Sequence, residues 1–72
     1  MLEDLRMEIK ELYNTYDEVV DRIEVLVEVI HDPNTTIGRA RSARQELENL
    51  IPRRKKLSER IDRYEKTLAE YA

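Results

Sequence analysis

Apolar residues recur in alternating steps of three and four along the first thirty positions: Leu2, Leu5, Ile9, Leu12, Tyr16, Val19, Ile23, Leu26 and Ile30. A heptad rhythm held for four heptads predicts a long helix over about 2–31, with a narrow seam that must face another helix. A second series, Ala40, Ala43, Leu47, Leu50, Arg54, Leu57, Ile61, Tyr64, Leu68 and Tyr71, predicts a second helix over about 36–71. Between them, Asp32-Pro33-Asn34-Thr35-Thr36 is the only cluster of turn residues. Pro33 keeps Asp32 out of the α region, and Asp32, Thr35 or Thr36 can cap the following helix with a side-chain oxygen. Asp32 and Pro33 as the N-cap and first residue of helix 2 are the alternative start.

Pro52 lies inside the second series, yet the heptad phase is the same before it (Leu47, Leu50) and after it (Leu57, Ile61). It also falls opposite the seam, where water can replace the lost hydrogen bond. The expectation is one helix, kinked or curved near Pro52; a break there would instead give three helices. An antiparallel hairpin closed by a short turn sets Leu26 against Ala40, Ile23 against Ala43, Val19 against Leu47 and Ile9 against Leu57. At its two remaining levels of interest it sets Leu12 against Arg54 and Leu2 against Tyr64. The same register brings Arg22 to Glu46 and Glu8 to Arg60 on one flank, two matches of opposite charge.

The other flank is mostly apolar, with Tyr13, Val20 and Val27 on helix 1 and Ile37 and Ile51 on helix 2, Arg44 and Ser58 between them. A stripe wider than a two-helix seam suits a bundle. In this register Leu68 and Tyr71 project past the start of helix 1. The expected fold is all-α, a single helical-hairpin domain over 1–72 that dimerises into a four-helix bundle. Tyr13, Val20, Val27, Ile37, Ile51, Leu68 and Tyr71 are its expected dimer interface.

Composition agrees with long helices: 72 residues, 40% charged, one Gly, two Pro and no Cys, Trp or Phe. A chain this short rarely buries enough apolar surface to be comfortably stable alone. The absence of cysteine excludes a disulfide framework and a thiolate metal site. Neither a signal peptide nor a bilayer span is legible, so a cytoplasmic location and no membrane partner are expected. The net charge of −3 hides a division. Residues 1–32 carry ten acids and three bases, and residues 33–72 six acids and ten bases. Segments of opposite sign favour lying against each other.

Chemistry is sparse. Glu28-Val29-Ile30-His31 has the Glu-x-x-His spacing of di-iron carboxylate bundles, but both side chains fall outside the seam, and His31 suits the negative end of a helix. Arg53, Lys55, Lys56 and Arg63 are the candidate nucleic-acid contacts, since phosphate binding needs only clustered cations. Against this, acids interrupt the cluster and the chain is acidic overall. The four tyrosines occupy seam or stripe positions that suit packing. No Gly-rich phosphate loop, Ser/His/Asp set or thiol nucleophile is present, so no catalytic residue, cofactor or metal is expected.

Leu2-Glu3-Asp4-Leu5-Arg6-Met7-Glu8-Ile9 resembles the opening of the small all-helical chorismate mutases. That likeness covers helix 1 alone, and no lysine follows where that family places one. Ile30 to Asn34 with Arg39 is similar to the turns of HEAT-like repeats, over about one turn. Neither likeness lends a function. The expected role is non-enzymatic: a homodimer acting as adaptor, assembly factor or regulator by binding another protein. A bundle binding RNA or DNA through helix 2 is the alternative, and a chorismate-mutase-like enzyme a remote one.

Overall fold

The computed structural model describes residues 2–71. Helix α1 spans Leu2–His31 and helix α2 spans Ile37–Tyr71, with no strand among the described residues. The two pack side by side as an antiparallel hairpin measuring 52 × 15 × 13 Å. Its long dimension matches about 1.5 Å of rise for each of the 35 residues of α2. The hairpin is therefore as long as its longer helix, and α2 does not fold back.

Local chemistry sets the ends. Glu3 and Asp4 stand in the first turn of α1, where carboxylates meet the positive end of the helix dipole. His31 closes the last turn, its Nδ1 donating to the Val27 carbonyl at 2.8 Å. The carboxylate of Asp32 then accepts from the Asn34 amide at 2.9 Å, and the Thr35 amide donates to the Asp32 carbonyl at 3.1 Å. These two bonds turn the chain without a residue at positive φ. Thr36 is the N-cap of α2: its hydroxyl accepts from the Arg39 amide at 3.3 Å, and its carbonyl receives the first helical bond, from Ala40, at 2.9 Å. Of the caps open to the sequence, Thr36 is the one used, and Asp32 serves the turn.

The core is the seam and nothing more. Ile9, Val19, Ile23 and Leu26 of α1 and Ala43 and Ile61 of α2 are the buried residues, and all six belong to the two heptad series. Leu5, Leu12, Tyr16, Ala40, Leu47, Leu50, Leu57 and Tyr64 are half-buried along the same line. Even Leu26, the best covered, keeps 3% of its surface, and no described side chain is fully enclosed.

One expectation is met and another corrected. α2 runs unbroken through Pro52, so the three-helix alternative falls. Pro52 and Glu48, whose carbonyl loses its donor, are both exposed, so that carbonyl lies on the side of the helix open to solvent. The open end differs from the pairing by level. Leu2 lines one recess with Thr67 and Tyr71 and another with Leu68 and Tyr71, so Leu68 and Tyr71 stand beside the start of helix 1 rather than clear of it. The cause is side-chain lean. In a helix the Cα–Cβ bonds tilt toward the N-terminus, so α1 side chains reach toward the open end while α2 side chains reach back toward the turn. Residues that touch are therefore offset along α2 from those that are level.

Replacing the exposed Pro52 by alanine restores a backbone donor and removes the clash with the preceding turn; we expect stabilisation of about 1–3 kcal/mol in urea unfolding. Arg54 occupies a seam position in the sequence but is exposed, and it enters no ion pair or hydrogen bond among the described residues. Arg54→Leu should raise stability by about 1 kcal/mol, because partial apolar burial replaces a solvated charge facing Leu12. A marked fall in melting temperature for Arg54→Leu would show that the guanidinium anchors a buried carboxylate.

Candidate interaction surfaces

Antiparallel pairing leaves the hairpin with two long flanks. The flank of Arg22 and Glu46 is polar. The Arg22 guanidinium grips the Glu46 carboxylate with both Nε and Nη2, the latter at 2.8 Å. This bidentate hydrogen bond and the attached charge hold the Glu46 carboxyl below its ordinary range and the guanidinium above its own. Beyond the expected pairing, Val29 is half-buried and Val25 exposed beside Arg22, in a shallow hollow shared with Arg39 and Ser42.

Further along the same flank lies a row that takes in three of the candidate nucleic-acid contacts, Arg53, Lys56 and Arg63, and adds Arg60. Arg53, Lys56, Arg60 and Arg63 follow in 3-4-3 steps, which puts them on one face of α2 over nearly three helical turns. Lys55, between them in sequence, projects elsewhere. Asp4, Glu8, Glu11 and Glu18 form the corresponding row on α1, in steps that keep one face. Arg60 lies over the Tyr64 ring, 5.8 Å from its centroid. Its contact with the Tyr64 side chain, and more weakly the Glu8 charge, raise the guanidinium pKa. All four bases and all four acids are exposed.

The opposite flank carries the apolar stripe. Ile37 is 81% exposed at the start of α2, and Ile51, Tyr13 and Val27 are also exposed, while Val20 is half-buried. Among the remaining expected interface residues, Tyr71 is exposed and Leu68 half-buried at the open end. Arg44 stands in the stripe between Ile37 and Ile51, exposed and without an ion pair or hydrogen bond among the described residues. Glu65 extends the stripe by one heptad beyond Ser58, and the sequence reading left it out. Its carboxylate accepts the Tyr13 hydroxyl across 52 positions of chain. That bond, ahead of partial burial and the charges of Glu65 and Asp62, raises the Tyr13 pKa. The lean of the two side chains toward each other makes the contact.

Chemically the surface is plain. No group of three or more metal-ligating side chains occurs among the described residues. Glu28 and His31 are exposed, and the His31 ring is engaged with the backbone. No buried polar side chain lacks a partner among the described residues, and no helix is long and apolar enough to cross a membrane. A hollow of about 370 Å³ opens between the helix ends beside Leu2, Leu5, Thr67 and Tyr71. No protein-family model matches the chain, and neither a curated protein nor a solved structure matches it.

The Arg22–Glu46 pair predicts an acid limb with a defined sign. A carboxyl depressed in the folded state contributes stability that is complete above its ordinary pKa and is lost as pH falls through the depressed value. Melting temperature should therefore drop as pH is lowered below about 4.5, and Glu46→Gln should lose part of that pH dependence. An unchanged acid limb in Glu46→Gln would mean that the pair does not persist in solution.

Proposed function

We propose that the protein is a non-enzymatic homodimer that works by binding another protein, as an adaptor, assembly factor or regulator. One observation carries this reading: the hairpin leaves an apolar stripe of Tyr13, Val20, Val27, Ile37 and Ile51 on one side of a seam that fully encloses no described side chain. Covering the stripe with a second copy gives each helix two helical neighbours and a core two layers deep, which a 72-residue chain cannot build alone. The charged flanks then face outward on both sides of a four-helix bundle. Each presents an acidic row beside a basic row, a pattern suited to a partner surface with complementary charges of both signs.

The row of Arg53, Lys56, Arg60 and Arg63 favours a second reading, in which the bundle binds RNA or DNA. Lys55 projects away from that row, and the acidic residues of α1 lie beside it. Phosphates approaching the basic row would meet those carboxylates. Weak binding of a duplex probe that vanishes by 0.2 M salt would therefore be non-specific, whereas a sub-micromolar complex at that salt would favour this second reading.

Sedimentation equilibrium checks the first. The expected mass is twice the 8.6 kDa of one chain. Val20→Glu and Ile51→Glu should each weaken association at least about 30-fold, since burying an unpaired carboxylate costs about 2 kcal/mol or more. Glu28→Lys, on the solvent side, should leave it unchanged. A compact folded monomer at all concentrations would overturn the homodimer reading, and equal effects of all three substitutions would place the interface on another face.

A further inference from the structure

Two-fold pairing through the stripe can be built in two ways. With the axis across the helices, α1 lies on α1 and α2 on α2, and the two turns point to opposite ends. With the axis parallel to the helices, α1 of each copy lies on α2 of the other and the turns share one end. We infer that the protein adopts the second arrangement, with Arg44 of each copy set beside Glu24 of the other; this rests on the homodimer reading above.

Arg44 decides between them. On α2 the stripe reads Ile37, Arg44, Ile51, one heptad apart and symmetric about the arginine. Stacking α2 on its own copy so that Ile37 covers Ile51 therefore brings Arg44 onto Arg44, two guanidiniums meeting in an apolar layer. The offset of the Arg22–Glu46 contact matches Arg44 to Glu24, so the same operation centres α1 near Glu24 and brings that carboxylate towards its own copy. Both helix contacts then place like charges together.

The parallel axis avoids both. Such an axis preserves position along the bundle, and the Arg22–Glu46 contact shows which residues of α1 and α2 reach each other. Two residues up α1 and two residues down α2, Glu24 stands to Arg44 as Arg22 stands to Glu46. Glu24 borders the stripe between Val20 and Val27, is exposed, and has no ion pair or hydrogen bond among the described residues. Across the interface it supplies the carboxylate that Arg44 lacks, and the symmetry makes this contact twice. The acidic helix then lies on the basic one throughout, and the full 52 Å of each hairpin overlaps. An axis across the helices at Arg44 would instead leave both open ends uncovered.

The chain has no cysteine of its own, so Asn34→Cys carries a single nitroxide at the exposed tip of the turn. Pulsed dipolar spectroscopy on the labelled full chain should give a distance of about 20–30 Å, one bundle width plus the labels. A distance of about 35 Å or more, the separation set by helical rise for turns at opposite ends, overturns the arrangement while leaving the homodimer intact. A monomeric mass without dipolar coupling overturns both. Arg44→Glu provides an independent check, because Arg44 forms no ion pair or hydrogen bond within its own chain among the described residues. It should weaken the dimer at least tenfold, and adding Glu24→Arg should restore it. With Arg44 on Arg44, the single change only exchanges one like-charged pair for another, so an unchanged dimer would also overturn the proposal.

Discussion

Two helices enclose one seam, and that geometric limit governs the whole molecule. Each helix touches only one neighbour, so a side chain at a seam position is roofed by the facing helix but remains open along its edges. Val19 and Leu26 reach 4% and 3% exposure and none of the described residues goes lower. Residues off the seam find little roof, which is why Val25, Val27 and Ile51 are exposed and Val20 and Val29 only half-buried although they are as apolar as the core. The apolar content of the chain thus exceeds what its own fold can cover. Association is the physical remedy open to such a chain.

Most of the hairpin could be read before the structure, because its determinants are local and periodic. The buried residues all fall on the two 3-4 series, and the turn lies where Asp32, Pro33 and Asn34 interrupt them. The Arg22–Glu46 contact was accessible for the same reason: turn length and apolar phase fix the level of the two helices near the turn. Further away the inference loosens. Pairing by level puts Leu2 against Tyr64, whereas Leu2 shares its recess with Leu68 and Tyr71, because pairing by level takes no account of the direction in which side chains lean.

The surfaces were less legible than the seam. The apolar members of the stripe announce themselves, but Glu65 belongs to the same row by position and not by polarity, and only its bond to Tyr13 brings it into view. The basic row was obscured in the opposite way. Arg53, Arg54, Lys55 and Lys56 are adjacent in sequence and point around the helix, while the set that shares a face is spaced through Arg60 and Arg63. Helical periodicity, applied to charge as it is to apolarity, recovers that row.

An apolar seam of this kind specifies phase but only weakly specifies register, since sliding one helix by a heptad puts apolar residues back against apolar residues. The flank supplies what the seam lacks. Arg22 faces a row on α2 that reads Arg39, Glu46, Arg53, Arg60 in heptad steps, with Glu46 its single acid. A slip of one heptad in either direction exchanges the Arg22–Glu46 pair for Arg22 against Arg39 or against Arg53. Surface ion pairs add little to stability, yet here the same pair separates one register from both of its neighbours by turning an attraction into a repulsion. A capped five-residue turn that resists lengthening acts in the same direction, because a slipped hairpin would have to unwind Thr36 and its bond to Arg39. The hairpin's uniqueness therefore comes from its polar flank and its turn, and its cohesion from the seam.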